Sequence, residues 1–224
     1  MPDGEVSAAN NEGDFATGGE GDDRIDGAYT GDIGEIIHGG SGKDTVYGYD
    51  GNDEIHGGTG DDNLFARLGD NEIHGGDGDD IIMIDKQSIA DDGNNDLHGD
   101  DGDDQIMGGF GADDIRGGDG NDTLTGFDGD DEIWGGKGDD ILEAGEVSGG
   151  TNMQDVLRGG EGHDFLFGCY MDDPEGDVSN CGGGDGFWAY GDEGDDVIWG
   201  KSNMNGEYIW GGDDNDEIHA GNTN

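Results

Sequence analysis

Aspartate is the chemically reactive side chain that stands out in this chain, because it is abundant and regularly spaced. It recurs at the end of short glycine-rich strings, as in GGSGKD from Gly39, GGTGDD from Gly57 and GGDGDD from Gly75. Carboxylate and backbone carbonyl oxygens suit Ca²⁺, a hard cation that takes about six to eight oxygen ligands in flexible geometry. Glycine adopts the unusual backbone angles that turn carbonyl groups toward an ion. The strings therefore predict turns that bind Ca²⁺.

The net charge gives a second reason to expect several bound cations. The 224 residues include 58 acidic and 8 basic side chains, a formal charge of −50 at pH 7. Only 29% of the residues are hydrophobic and 53 are glycine, which without a counter-ion is typical of a disordered, self-repelling chain. Folding therefore requires neutralisation. The same charge argues against nucleic acid as a partner, because the phosphates would be repelled.

The glycine-rich turns belong to a repeat with a period of nine residues. From Gly39 the chain reads GGSGKDTVY, GYDGNDEIH, GGTGDDNLF, ARLGDNEIH and GGDGDDIIM without a break. We count about nineteen such units between Gly18 and His219. Six turn residues precede three strand residues, and the eighth position is apolar. It is filled by Ile25, Val46, Ile55, Leu64, Ile73, Ile82, Ile106, Leu124, Ile133, Leu142, Leu166, Ile198 and Ile218.

Such short strands must stack on one another to bury their apolar side chains. One inward side chain per strand cannot form a core alone, so neighbouring units have to supply it. Two units then make one coil of about eighteen residues, and the coils build two parallel sheets with about 4.8 Å between strands. This arrangement is a β-solenoid.

The repeat resembles the RTX nonapeptide family, whose pattern is GGxGxDxUx. The resemblance covers Gly18 to His219 and rests on many copies of the pattern. It implies an all-β, right-handed parallel β-roll with two short-stranded sheets, in which sixth-position aspartates and turn carbonyls of stacked loops share Ca²⁺ ions. We divide the chain into an N-terminal segment or cap (1–17), the roll (18–219) with insertions at 84–95, 145–154 and 169–186, and a C-terminal tail (220–224).

Alternate units differ at the sixth position, so the two flanks of the roll differ. The first column is aspartate throughout: Asp23, Asp44, Asp62, Asp80, Asp104, Asp122, Asp140, Asp164, Asp196 and Asp216. The second column reads Glu35, Asp53, Asn71, Asn95, Asp113, Asp131, Asp155, Phe187 and Glu207. These insertions, and two further ones at 28–35 and 201–206, all interrupt units of the second column.

We expect Ca²⁺ between stacked loops of the first column, and in the second column at Asp53, Asp113, Asp131 and Asp155. Asn71 and Asn95 can offer an amide oxygen but no charge, which should weaken their sites. Acidic turns that are merely solvated remain the alternative for the second column.

The outward faces of the two sheets carry different side chains. One has an apolar stripe that predicts self-association or contact with another extracellular surface. The stripe consists of Tyr47, Phe65, Met83, Met107, Phe167 and Trp199. Coverage by the chain's own termini or insertions is the alternative.

The other face alternates acids with a basic ladder and is expected to be solvated. A zinc or pH-sensing role for His56 and His74 lacks a convergent third ligand in the sequence. Aromatic residues also gather toward the C-terminal end, where we expect them to cap the roll or dock a neighbour. They are Phe187, Trp188, Tyr190, Trp199, Tyr208 and Trp210.

The two cysteines, Cys169 and Cys181, lie in one insertion. A local disulfide is expected, which would indicate an oxidising compartment, and two free thiols are the alternative. No apolar run approaches the length of about 20 residues that spans a membrane. Residues 1–11 lack the apolar core of a signal peptide.

Catalysis has little support, since no nucleophile arrangement, phosphate loop or zinc motif is present. We therefore predict a non-enzymatic, secreted calcium-binding protein, structural or adhesive, that folds on Ca²⁺ and self-associates as a fibre or surface-layer subunit. The alternative is an accessory or secretion module of a larger secreted toxin, protease or polysaccharide-modifying enzyme. Ice binding needs a flat Thr/Asn row, and only scattered residues such as Asn121 and Thr123 would fit.

Overall fold

The computed structural model describes residues 5–7, 13, 15–27, 33–85, 93–145, 154–168, 187–200 and 207–219. Within these ranges every regular element is a β-strand, which confirms the all-β prediction. No described segment forms a helix long and apolar enough to cross a membrane.

The strands follow one another at short intervals along the chain. They are β1 Glu5–Ser7, β2 Phe15–Glu20, β3 Arg24–Asp26, β4 Ile36–Ser41, β5 Thr45–Tyr49, β6 Glu54–Thr59, β7 Asn63–Ala66, β8 Glu72–Asp77, β9 Ile81–Ile84, β10 Asp96–Asp101, β11 Gln105–Phe110, β12 Asp114–Asp119, β13 Thr123–Asp128, β14 Glu132–Lys137, β15 Ile141–Glu143, β16 Asp155–Glu161, β17 Phe165–Phe167, β18 Phe187–Glu193, β19 Val197–Trp199, β20 Glu207–Asp213 and β21 Glu217–His219.

Successive strands alternate between two parallel sheets. The odd-numbered strands form an 11-stranded sheet and the even-numbered strands a 10-stranded sheet, each in chain order. Equivalent residues of neighbouring coils pair in register, for example Ile55 with Ile73 and Leu64 with Ile82. This is the predicted two-sheet β-solenoid. The strand number exceeds the predicted unit count slightly, because β1 and β2 begin before Gly18 and β1 already pairs with β3.

The core is the double row of eighth-position side chains. Those of both sheets are fully buried along most of the roll, as predicted. Ile218, in the last described strand of the 11-stranded sheet, is 46% exposed, and Ile209 in β20 is partly buried. Ile37, Leu97, Ile115 and Leu157 extend the row beyond the predicted set.

The turns use backbone angles that favour glycine. Gly58 and Gly60 in one turn have φ values of +119° and +112°. Four residues at the second position of the repeat take the same region without being glycine: Tyr49, Asp100, Phe127 and Asp192, with φ between 69° and 76°.

The insertions all join an odd-numbered strand to the next even-numbered strand. They connect β3 to β4, β9 to β10, β15 to β16, β17 to β18 and β19 to β20. The strand ends that they join all lie on one flank of the roll, as the sequence indicated. The expected Cys169–Cys181 disulfide lies outside the described residues.

Candidate metal centre

The first column of aspartates lies in the turns that lead from the 10-stranded to the 11-stranded sheet. Each backbone N–H donates to the side chain of the aspartate one coil later in the chain. The bond is 2.7 Å from Asp44 N to Asp62 Oδ1 and 2.8 Å from Asp104 N to Asp122 Oδ1. It repeats from Asp23 to Asp216, where the last bond, from Asp196 N, is 3.2 Å. The ten aspartates thus form one continuous hydrogen-bonded column.

The second carboxylate oxygen of eight of these ten aspartates is buried and has no hydrogen-bond partner. This holds for the Oδ2 atoms of Asp44, Asp62, Asp80, Asp104, Asp122, Asp140, Asp164 and Asp196. A buried acceptor without a donor is destabilising by about 1–3 kcal/mol, and more when it is charged. The column therefore requires a compensating positive charge.

The first glycine of each unit makes room for this oxygen. A Cβ on Gly57 would lie 2.5 Å from Asp62 Oδ2 and 2.6 Å from the carbonyl oxygen of Gly75, one coil further on. The same close approach recurs from Gly18 to Gly191. A carboxylate and a carbonyl oxygen of successive coils therefore border the same small space, which suits a cation with oxygen ligands.

Burial changes the acidity of the column. It raises the pKa of Asp62 and Asp122 to about 6 and that of Asp140 to about 8. It raises the pKa of Asp80, Asp104 and Asp164 to about 7. The backbone N–H donors oppose this rise and neighbouring carboxylates add to it. A divalent cation would reverse the shift, because opposite charge favours the ionised form.

The second column has the same hydrogen-bonded ladder over part of its length. It runs from Glu35 N to Asp53 Oδ1 at 2.9 Å and ends with the 3.3 Å bond from Asp131 N to Asp155 Oδ1. Phe187 then pairs in register with Asp155 and is fully buried. The column is therefore interrupted by an apolar side chain, at the position that the sequence marked as lost.

Two asparagines supply hydrogen-bond donors within the second column. Asn71 Nδ2 donates to the carbonyl of Gly69 at 3.0 Å and to Asn95 Oδ1 at 2.9 Å. Asn95 Nδ2 donates to the carbonyl of Gly93 and to Asp113 Oδ1. The amide oxygens, which the sequence suggests as weak Ca²⁺ ligands, each accept the backbone N–H of the preceding coil. The amide nitrogens thus act as hydrogen-bond donors at positions where other coils have only carboxylate acceptors.

Two second-column aspartates resemble those of the first column. Asp53 and Asp113 have a buried Oδ2 without a hydrogen-bond partner. Burial raises the pKa of Asp53 and raises that of Asp113 to about 7. Asp113, Asp131 and Asp155 follow one another in the ladder, whereas Asp53 lies between Glu35 and Asn71.

A ladder at the fifth position of the repeat was not foreseen from the sequence. Here the N–H of the later coil donates to the side chain of the earlier one, as from Asn121 to Asp103 at 2.7 Å and from Asp139 to Asn121 at 2.8 Å. Its direction is opposite to that of the sixth-position ladder. The frequent Asp or Asn before the sixth residue was the available signal.

The apolar stripe on the 11-stranded sheet is continuous over only part of its length. Tyr47, Phe65, Met83 and Met107 are in-register neighbours and half-buried. Thr125 and Glu143 then separate them from Phe167 and Trp199. The structure thus divides the predicted stripe into two patches.

The C-terminal aromatic residues do not form one cluster. Phe187 is buried, and Trp199 lies on the 11-stranded sheet, stacked on His219 at 3.8 Å between ring centroids. Trp188, Tyr208 and Trp210 are exposed on the 10-stranded sheet.

A parallel two-sheet solenoid that stacks buried carboxylates at its turns has the architecture of a cation-binding repeat protein. The chain matches the family model of the RTX calcium-binding nonapeptide repeat (4 copies) over residues 8–28, 29–64, 56–83, 89–124, 107–142, 149–168, 182–202 and 206–224. It belongs to this family, whose repeats bind multiple Ca²⁺ ions and form a structural fold. No curated protein matches the chain.

Proposed function

We propose that the protein is an extracellular structural or adhesive β-roll, without enzymatic activity, that folds when it binds Ca²⁺. The observation that carries this proposal is the column of buried Oδ2 atoms without hydrogen-bond partners. Brought together without cations, these carboxylates would oppose folding in a chain of net charge −50. Metal binding would then supply folding free energy, because the ligands converge only in the folded chain.

The first column would hold one Ca²⁺ between each pair of neighbouring coils. Its ten aspartates, Asp23 to Asp216, leave nine such intervals. Each ion would bind the Oδ2 of an aspartate and a turn carbonyl oxygen of the next coil. One such pair is Asp62 Oδ2 and the carbonyl oxygen of Gly75. In the second column the intervals from Asp113 to Asp131 and from Asp131 to Asp155 would bind Ca²⁺ in the same way. Asp53 would form at most a weaker site.

The expected location is outside the cell. Calcium sites of extracellular modules bind at about 10⁻⁴–10⁻³ M, far weaker than those of cytosolic calcium buffers. A chain with such sites would stay unfolded during synthesis and fold after export, which couples folding to secretion. The Cys169–Cys181 disulfide, if formed, would agree with this location.

The patch of Tyr47, Phe65, Met83 and Met107 would be the contact with a second copy of the chain. Four apolar side chains lie in register on a regular surface, and at its Tyr47 end Arg24 lies 4.4 Å above the Tyr47 ring. Repetition along the roll would let the same surface extend the contact into a fibre or layer.

A calcium titration of the full chain tests the folding proposal. Starting in EDTA and rising to about 10 mM Ca²⁺, above the extracellular site range, circular dichroism should change from coil to β-structure. Absence of any transition would contradict it.

Light scattering in the same titration tests self-association. Particle size should grow with folding, and Phe65→Ser should reduce that growth while Asn63→Ser, two residues away, should not. Folding to a stable monomer would instead favour an accessory module of a larger secreted protein.

A further inference from the structure

Four histidines form a stack on the outer face of the 10-stranded sheet. His38, His56, His74 and His98 are in-register neighbours on β4, β6, β8 and β10. Their ring centroids are 4.7, 5.1 and 4.5 Å apart in that order. The planes of His74 and His98 differ by 12°. Parallel stacking brings equivalent ring edges of successive histidines next to each other.

Asp100 supplies the third ligand that the sequence did not reveal. It occupies the register position of Gly76 and Gly118 in the adjacent strands. Its Oδ2 lies 3.4 Å from His74 Nδ1. One ligand atom each from His74, His98 and Asp100 lie within 4.8 Å of one another, the only such group of three among the residues that the structure describes.

Two further carboxylates hold the opposite nitrogens of these rings. Glu72 Oε1 lies 3.5 Å from His74 Nε2, and Asp96 Oδ1 lies 2.7 Å from His98 Nε2. Metal-binding histidines almost always pair their second ring nitrogen in this way, which fixes the tautomer and the orientation of the ring. Nε2 of both rings is thus paired with a carboxylate, and Nδ1 of His74 faces Asp100.

One positive charge lies nearby and is balanced. Arg116 Nη1 is 3.2 Å from His98 Nε2 and 3.2 Å from Asp96 Oδ1, and its Nη2 is 2.5 Å from Asp114 Oδ2. The guanidinium group is thus paired with two carboxylates and approaches the Nε2 edge of His98, opposite to Nδ1.

We propose that His74, His98 and Asp100 bind one divalent transition-metal ion, with Zn²⁺ as the best-fitting ion, in addition to the calcium of the turns. Imidazole nitrogen suits Zn²⁺, whereas Ca²⁺ prefers sites made of oxygen alone. Zn–N bonds of about 2.0–2.1 Å place tetrahedral ligand atoms about 3.3 Å apart. Binding of one ion would require the His74 and His98 rings to tilt out of their parallel stack and the exposed Asp100 carboxylate to turn toward them. The fourth ligand position is open to water or to a group from another molecule.

The site is tested on the full chain with calcium held at about 10 mM, so that the turns are occupied. Co²⁺ serves as a spectroscopic probe, because tetrahedral coordination gives visible absorption, and competition with a chromophoric chelator then gives the Zn²⁺ affinity. One ion should bind per chain. Asp100→Gly and His98→Gln should each weaken Zn²⁺ binding at least about tenfold. Asp100→Gly restores the glycine of the repeat, so the fold should be kept.

Two variants are matched controls. Asp192→Gly makes the same change at the same repeat position of the same sheet, with φ 74°, but Asp192 lies beside Arg158, 3.9 Å away. His38→Gln alters the far end of the histidine stack. Both should bind Zn²⁺ like the unaltered protein.

Three outcomes would overturn the proposal. The first is no Zn²⁺ binding in the presence of calcium. The second is equal Zn²⁺ affinity in Asp100→Gly, His98→Gln and the controls. The third is loss of bound calcium in step with zinc uptake, which would place zinc in the aspartate columns. None of these outcomes would alter the calcium-dependent folding that the titration measures.

Discussion

Replacing Asp104 by asparagine should lower the free energy of unfolding in calcium and raise it in EDTA. Asp104 lies in the middle of the first column, where its Oδ1 accepts the N–H of Asp80 at 2.8 Å and its own N–H donates to Asp122 Oδ1 at 2.8 Å. Its Oδ2 is buried without a partner. Asn71 shows how an amide fills this position, by donating to a turn carbonyl and to the next coil.

The two effects of Asp104→Asn have opposite signs. Without calcium, the amide removes a buried acceptor that lacks a donor, which should raise the free energy of unfolding by about 1–3 kcal/mol. With calcium, it weakens both intervals that Asp104 shares, those with Asp80 and Asp122. At a free Ca²⁺ concentration of about a hundred times the Kd, two bound ions stabilise the folded chain by about 5 kcal/mol. The net loss in calcium is then about 2–4 kcal/mol.

Asp113→Asn is the matched control in the second column. Asp113 follows Asn95, so it shares only one two-carboxylate interval, with Asp131. One lost site is worth about 2.7 kcal/mol and is nearly offset by the amide gain. Isothermal titration calorimetry should show two fewer calcium ions for Asp104→Asn and one fewer for Asp113→Asn. An unchanged calcium number in Asp104→Asn, or lower stability in both buffers, would refute the reasoning.

Three further predictions follow from burial and packing. Burial raises the pKa of Asp62 to about 6 and that of Asp140 to about 8, against about 3.9 in an unfolded chain. Between these values the calcium-free roll binds more protons than the unfolded chain. It should therefore lose stability as pH rises from about 4 to 8. Circular dichroism in EDTA should show more β-structure at the acid end, and the reverse order would contradict this. Gly57→Ala places a Cβ 2.5 Å from Asp62 Oδ2 and should lower the free energy of unfolding in calcium by about 1–3 kcal/mol, measured by thermal melting; an unchanged melting temperature would contradict the close approach. In urea denaturation, Ile106→Ala should lower the free energy of unfolding by about 2–5 kcal/mol and Gln105→Ala by less than about 0.5 kcal/mol. Equal losses would show that the eighth position is not the core.

The fold follows from the sequence because the repeat is regular. Each unit carries the same turn residues and one inward side chain, so a single register serves the whole chain and places Ile55 beside Ile73. The identity of the first column follows in the same way. Ile218 is 46% exposed although the period places it in the core row, because periodicity does not show how fully each coil is covered by its neighbours.

The directions of side-chain hydrogen bonds could not be predicted from the repeat. Whether an asparagine offers its oxygen or its nitrogen to a neighbouring coil depends on which backbone groups already face it, and at Asn71 both the oxygen and the nitrogen are used. Asp100 is a different case. Its departure from the glycine of the pattern was visible, but its closeness to His74 depends on how residues of adjacent strands meet across the sheet.

The hydrogen bonds of the sixth-position ladder all point the same way along the chain. They therefore set the order in which coils can form as the chain emerges. The N–H in each turn finds its acceptor on the following coil, from Asp23 toward Asp216. A chain that emerges amino terminus first therefore locks each coil only when the next one has arrived. In the presence of Ca²⁺ the boundary between ordered and unordered chain would then move toward the carboxyl terminus as the chain emerges, and a closed coil would resist re-opening.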